Sequence, residues 1–178
     1  VARKLLRQAP CSVLVLTDPG ISPSGFRNIV VQADEDNPNM IQTLQTACAL
    51  ASREQAAWLH VVKKVKWYTF LTASEEFSEE EYERKRNTLI EDEVSALRSI
   101  IQNFSHDHVK INIKLISGKA GHELAQFARR KQADLLIVSA SPLKLSLLDR
   151  FLPNDLEYLF SELPCNLLMV HHRKGGSL

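Results

Sequence analysis

Two stretches of this chain repeat each other. Leu5-Leu6-Arg7-Gln8-Ala9-Pro10-Cys11-Ser12-Val13-Leu14-Val15-Leu16 aligns without gaps with Leu159-Phe160-Ser161-Glu162-Leu163-Pro164-Cys165-Asn166-Leu167-Leu168-Met169-Val170. A helix end, a Pro-Cys turn and an apolar strand therefore occur twice, about one small domain apart. The chain reads as beginning inside the last helix of one unit and then carrying a whole second unit. Its 178 residues suffice for one α/β domain and a remnant, not for two full domains. The expected division is residues 1–17 as the end of a preceding domain, 18–25 as a linker, 26–173 as a complete domain, and 174–178 as a disordered tail.

Strand and helix patterns alternate along the chain. Residues 1–10 read as the end of an amphipathic helix and Ser12–Leu16 as a strand. Asp18–Gly25 is turn chemistry throughout. Ile29–Ala33 is a buried strand, after which Asp36 or Asn37 can cap a helix running from Pro38 to about Glu54. Ile41, Leu44, Ala47, Cys48 and Ala51 share one face of that helix. Ala57–Val62 is the next strand, and Trp67–Leu71 continues as an extended aromatic segment that suits either packing under its own helix or docking a partner. Ser78-Glu79-Glu80-Glu81 is a capping box that opens a helix to about Asn103. Leu89, Ile90, Val94, Leu97, Ile100 and Ile101 form the buried stripe of this helix.

Val109–Ile116 alternates as an edge strand and Gly118 breaks it. His122–Lys131 is helical, Leu135–Val138 is a buried strand, Pro153 opens a short helix and Asn166–Val170 closes the chain's last strand. Such alternation implies a parallel sheet covered on both faces by helices, with right-handed crossovers.

Composition narrows the function. A net charge of +1 gives no electrostatic reason to expect nucleic acid. No apolar run approaches the ~20 residues of a membrane span, so a membrane enters only through an unseen upstream segment. The start at Val1, without Met, reads as a piece of something longer. Three cysteines without scaffold spacing read as reduced and buried in a cytoplasmic protein. No serine sits in a nucleophile elbow and no Ser/His/Asp set can be ordered by spacing, so no catalytic residue is assigned. His106-Asp107-His108 reads as a solvated turn for want of a third ligand, so no metal is assigned either. His171-His172 ends the last strand before Arg173-Lys174-Gly-Gly-Ser-Leu, which reads as a frayed tail, and no metal role is assigned to the pair.

Laid out in this order, the chain resembles the universal stress protein family over Phe26–His172, with residues 1–17 matching the end of a preceding copy. The strand ending in Ala33-Asp34, Gly118 after the third strand, Ala133-Asp134-Leu-Leu-Ile-Val138 and Pro164-Cys165-Asn-Leu-Leu-Met-Val170 carry the resemblance. It implies an open five-stranded parallel sheet ordered 3-2-1-4-5, tandem copies or homodimers joined through fifth strands, and in some relatives fusion to membrane transporters. A ligand would lie where the strand order reverses, between Ala33–Pro38 and Ser139–Pro153.

Relatives that bind ATP place glycines after the fourth strand so that backbone N–H groups can close on phosphates. Ser139 and Pro142 stand where the first two glycines would be, and Pro153-Asn154 stands near the last Gly-Ser pair. Each proline removes a donor, while Asp155 and Glu157 set carboxylates at the positive end of a helix dipole. ATP is therefore not expected and no cofactor is assigned. If a nucleotide or anion binds all the same, the residues to hold it are Asp34, Ser139, Ser141, Lys144, Arg150 and Asn154. Asp34 matches the acidic residue that the family carries beside the adenosine. The apolar edge Leu167, Leu168, Met169 and Val170 needs a cover. Val13, Leu14, Val15 and Leu16 are expected to supply one antiparallel, within the chain or across a dimer. A linker of Asp18–Gly25, at most ~28 Å long when extended, permits the route within one chain. The expectation is a non-catalytic regulatory or interaction module that assembles through its fifth strand.

Overall fold

A computed structural model describes Leu6 and residues 9–17, 25–65, 78–140 and 154–171, with backbone alone for Ala120 and residues 154–157. Ten elements follow in chain order: β1 (Val13–Val15), β2 (Asn28–Ala33), α1 (Met40–Arg53), β3 (Trp58–Lys64), α2 (Glu79–Ile101), β4 (Lys110–Ile116), α3 (Ala120–Arg130), β5 (Leu135–Ser139), α4 (Asn154–Ser161) and β6 (Asn166–Val170). Most of the linker, the aromatic segment Trp67–Leu71 and the tail lie outside the described residues.

The sheet order is β1-β6-β5-β2-β3-β4. Its five parallel strands stand in the expected 3-2-1-4-5 order, and the N-terminal strand joins as a sixth. β1 runs antiparallel to β6, with Val13 opposite Met169, Leu14 opposite Leu168 and Val15 opposite Leu167. Thr17 N–H donates to Asn166 Oδ1 at 3.0 Å, and His171 N–H donates to Ser12 Oγ at 3.2 Å. The His171 ring lies 3.0 Å from the Leu6 carbonyl. His171, directly after β6, is thus an anchor for the N-terminal segment.

Helices on both faces explain the uninterrupted apolar runs of the inner strands. On one face Val30, Val62, Leu136, Val138 and Leu167 meet Leu124, Phe127 and Ala128 of α3 and Leu159 of α4. On the other, Ile29, Val31, Leu59, Val61 and Ile137 meet α1 and the C-terminal turns of α2. Burial of this kind contributes roughly 1.5–3 kcal/mol for each large side chain.

Several side chains depart from expectation. Ile41 is 46% exposed, because α1 turns Thr43, Leu44, Ala47, Cys48 and Ala51 inward instead. That helix begins at Met40, and neither Asp36 nor Asn37 is its N-cap. The capping box on α2 is present, with Ser78 Oγ accepting from Glu81 N–H. Only Leu97 and Ile101 of its stripe are buried. Leu89, Ile90, Val94 and Ile100 are half-buried, since the N-terminal half of the helix stands off from β4 across a cleft of ≈ 810 Å³. β3 runs to Lys64, two residues beyond the expected end, because Lys63 and Lys64 stay in register with Leu115 and Ile116. Cys48 and Cys165 are buried, whereas Cys11 is exposed. Burial pushes the Cys48 thiol up to about 11, and burial with the nearby Asp134 carboxylate pushes Cys165 up to about 12. Gly118 takes φ +88° just after β4, a left-handed turn that glycine adopts without a Cβ penalty.

Candidate functional site: the crevice between β2 and β5

Neighbouring strands β2 and β5 send the chain to opposite faces of the sheet, β2 into α1 and β5 toward α4. Their carboxyl ends therefore diverge, which is where doubly wound sheets take ligands. In this chain the divergence is bridged. Asn37, buried in the β2–α1 loop, donates from Nδ2 to the Ala140 carbonyl at 3.0 Å, and Asn39 adds a longer contact of 3.4 Å to the same oxygen. Asn37 Oδ1 in turn accepts the Asn39 N–H at 2.9 Å, which fixes the amide's orientation. The Ala140 N–H donates to Val170 O at 2.8 Å. Both backbone groups that open the β5–α4 loop are thus satisfied from within the chain.

One step deeper, Ser139 Oγ and Thr43 Oγ1 are 2.8 Å apart and buried. Thr43 gives its one hydroxyl proton to the Asn39 carbonyl at 3.0 Å. Ser139 must then be the donor to Thr43, so its only proton is not offered to a ligand. Asp34, half-buried at the end of β2, accepts the Asp36 N–H on Oδ1 at 3.2 Å, while its carbonyl accepts the Asn37 N–H at 3.0 Å. Ser141, Lys144 and Arg150 lie outside the described residues, and for Asn154 only the backbone, at the start of α4, is described. Of the six expected ligand residues, Asp34 and Ser139 alone have described side chains at the crevice.

A third link lies beside the crevice. Lys63, only 3% exposed, holds Glu35 of the β2–α1 loop and Glu93 of α2 through its Nζ. Burial by itself pushes this ammonium's pKa down. The hydrogen bonds and charges of Glu35 and Glu93 outweigh it and hold the pKa above the ordinary lysine value.

Asn37, Asn39, Thr43 and the Lys63 pair of ion pairs escaped the sequence reading. For Lys63 a signal existed: period-two alternation from Leu59 and Val61 sets it on the buried face. For Asn37 none did, since its partner is distant in sequence and is a backbone carbonyl.

The opposite end of the sheet is tied in a similar way. Asp134 Oδ2 accepts the N–H groups of Arg27 and Asn28, each at 2.8 Å, and Asn166 Nδ2 donates to the Asp134 carbonyl at 2.9 Å. Mid-sheet, the buried His60 ring stacks on Trp58, meets Phe127 edge-on and lies 3.0 Å from Asn112 Nδ2. Burial, helped by the Lys131 charge, pushes its pKa down to about 4, so the ring is neutral at pH 7 and Nδ1 accepts from Asn112. Among the described residues no cluster of three metal-ligating side chains occurs, and no helix is long and apolar enough to cross a membrane.

A doubly wound domain with a 3-2-1-4-5 parallel sheet and a switch-point crevice defines the class. The universal stress protein family model matches residues 25–171, and the chain belongs to that family. No curated protein matches it in sequence. Among solved structures, a functionally unknown protein of Pseudomonas aeruginosa PAO1 is similar over 97% of this chain and 56% of its own, at 18% identity and TM-score 0.60. This chain thus spans little more than half of that neighbour. A universal stress protein solved in complex with cAMP is similar over 83% of this chain and 98% of its own, at 16% identity and TM-score 0.56. The universal stress protein UspA of Lactobacillus plantarum is similar over 81% and 98%, at 16% identity and TM-score 0.52. These likenesses establish the fold.

Proposed function

We propose that this chain is a non-catalytic regulatory and interaction domain whose ligand crevice has become a joint between its own loops. One observation carries the reading: Asn37 and Asn39 donate across the crevice to the Ala140 carbonyl. Relatives that bind ATP need backbone N–H groups and room at this place. Here the two walls are bonded to each other, and Ser139 Oγ is turned to Thr43. The domain then acts in the cytoplasm through its sheet margins, as the second of a tandem pair or as the regulatory tail of a larger protein such as a transporter. Pairing of β1 with β6 supports the assembly part of this reading, because the N-terminal strand covers the fifth-strand edge. The match to 97% of this chain, N-terminal segment included, within a neighbour nearly twice as long supports the tandem part.

A second reading is a nucleotide or anion sensor. The cAMP complex of a similarly folded relative favours it, as does Asp34 at the end of β2. Thermal-shift titration of the full chain with ATP, AMP, cAMP and phosphate separates the two. The joint predicts no saturable shift for any of them. A saturable shift abolished by Asp34→Ala would establish the sensor instead.

A further inference from the structure

The two margins of the sheet differ. β6 is covered by β1, whereas β4 has no strand beyond it among the described residues. Its outward backbone N–H and C=O groups form a template for one more strand. The side chains along this edge sort by face. Lys110, Asn112 and Lys114 point to the α3 side, where Lys110 Nζ sits 5.4 Å from the Trp58 ring centre. Lys110 and Lys114 are exposed, and among the described residues neither has a carboxylate partner. On the α2 side, Ile111, Ile113 and Leu115 are half-buried. Ile111 and Ile113 open onto a cleft of ≈ 220 Å³ with Ile101. Ile113 and Leu115 open onto the cleft of ≈ 810 Å³ with Ile90 and Val94, and Arg86 and Lys114 also line it.

We propose that the β4 edge is a docking site for an extended segment of a partner protein in which apolar and acidic residues alternate. Added as a further strand, such a segment would send every second side chain into the two clefts beside α2. The residues between would be carried past Lys110 and Lys114. Main-chain bonds supply affinity in this mode, and the alternating side chains fix register. A second copy of this chain is the poorer occupant. Antiparallel pairing of two β4 edges about Asn112 would set Lys110 against Lys114 of the other copy, a like-charge contact that opposes it.

The test is fluorescence anisotropy of a short labelled peptide of alternating valine and glutamate, titrated with the full chain at low salt. Binding should be saturable and should weaken about tenfold or more in Lys110→Glu/Lys114→Glu, the loss of two surface charge pairs and their replacement by repulsion. Lys110→Gln/Lys114→Gln should lose less. Both lysines are exposed, so these variants keep the fold, which circular dichroism checks. N-methylation of alternate peptide bonds should abolish binding. The proposal is overturned by absence of saturable binding, by equal binding of a valine–lysine peptide, by indifference to the substitutions or to N-methylation, or by β4-dependent dimers in place of peptide capture.

Discussion

The amino and carboxyl ends of this sheet are closed by the same device with different residues. At the amino end a carboxylate, Asp134, accepts two N–H groups from the start of β2. At the carboxyl end two carboxamides, Asn37 and Asn39, donate to one carbonyl after β5. Both join the same pair of strands, β2 and β5. The amino end of a doubly wound sheet is ordinarily structural, and the carboxyl end is ordinarily where a ligand completes the loops. In this protein the carboxyl end is built like the amino end. At both ends, polar groups of the chain itself satisfy the backbone between the two strands.

The largest expected effect is at the amino end. Asp134→Ala removes an ionised acceptor from two N–H groups and should cost about 3–4 kcal/mol in urea unfolding. Since Asn37→Ala removes one neutral donor, its cost should be well under half of that. Equal costs would break the comparison, because the carboxyl-end joint would then be no weaker than the carboxylate clip.

Acid tests the middle of the sheet independently of either end. His60 has its folded pKa depressed to about 4 from an ordinary 6.5. The unfolded chain therefore binds the extra proton in this window, and stability falls as pH drops from about 6.5 to about 4. The full loss is on the order of 3 kcal/mol. His60→Gln should flatten the dependence. An unchanged slope would assign the acid sensitivity to other groups.

The smallest effect belongs to Lys63. Its carboxylate partners reach water, with Glu35 57% and Glu93 27% exposed in their side chains. Lys63→Met should therefore cost about 1 kcal/mol at neutral pH. A raised folded pKa gives stability that is complete below the ordinary lysine value of 10.5 and is lost as pH rises through the folded value. The alkaline loss of stability above about pH 10.5 should thus be shallower in Lys63→Met than in the parent chain, as followed by circular dichroism.

How much of this was legible in the sequence follows the range of each interaction. The alternation of strands and helices, the capping box at Ser78 and the candidate partner strand for β6 rest on periodicity, local hydrogen bonds and an internal repeat, all readable along one chain, whereas the 3-2-1-4-5 strand order is what the family resemblance implies. Ala133-Asp134 was visible as a motif, but its task as acceptor for Arg27 and Asn28 was not. The crevice was legible by subtraction, through Ser139 and Pro142 in place of glycines. The bridge across it was not, because Asn37 looks locally like a helix cap and reaches Ala140 only when β2 and β5 lie side by side. Lys63 was missed for a simpler reason: the expected strand stops at Val62, whereas the ladder continues through Lys63 and carries it inward.

The joint at the carboxyl end is tested most directly by NMR of the Asn37 and Asn39 side-chain amides in the full chain, with and without excess ATP. The Nδ2 protons of Asn37 should exchange slowly, and neither amide should move when ATP is added. Saturable shifts of both, together with the backbone amides of Asp34 and Ala140, would show the crevice opening for a nucleotide and would contradict the account.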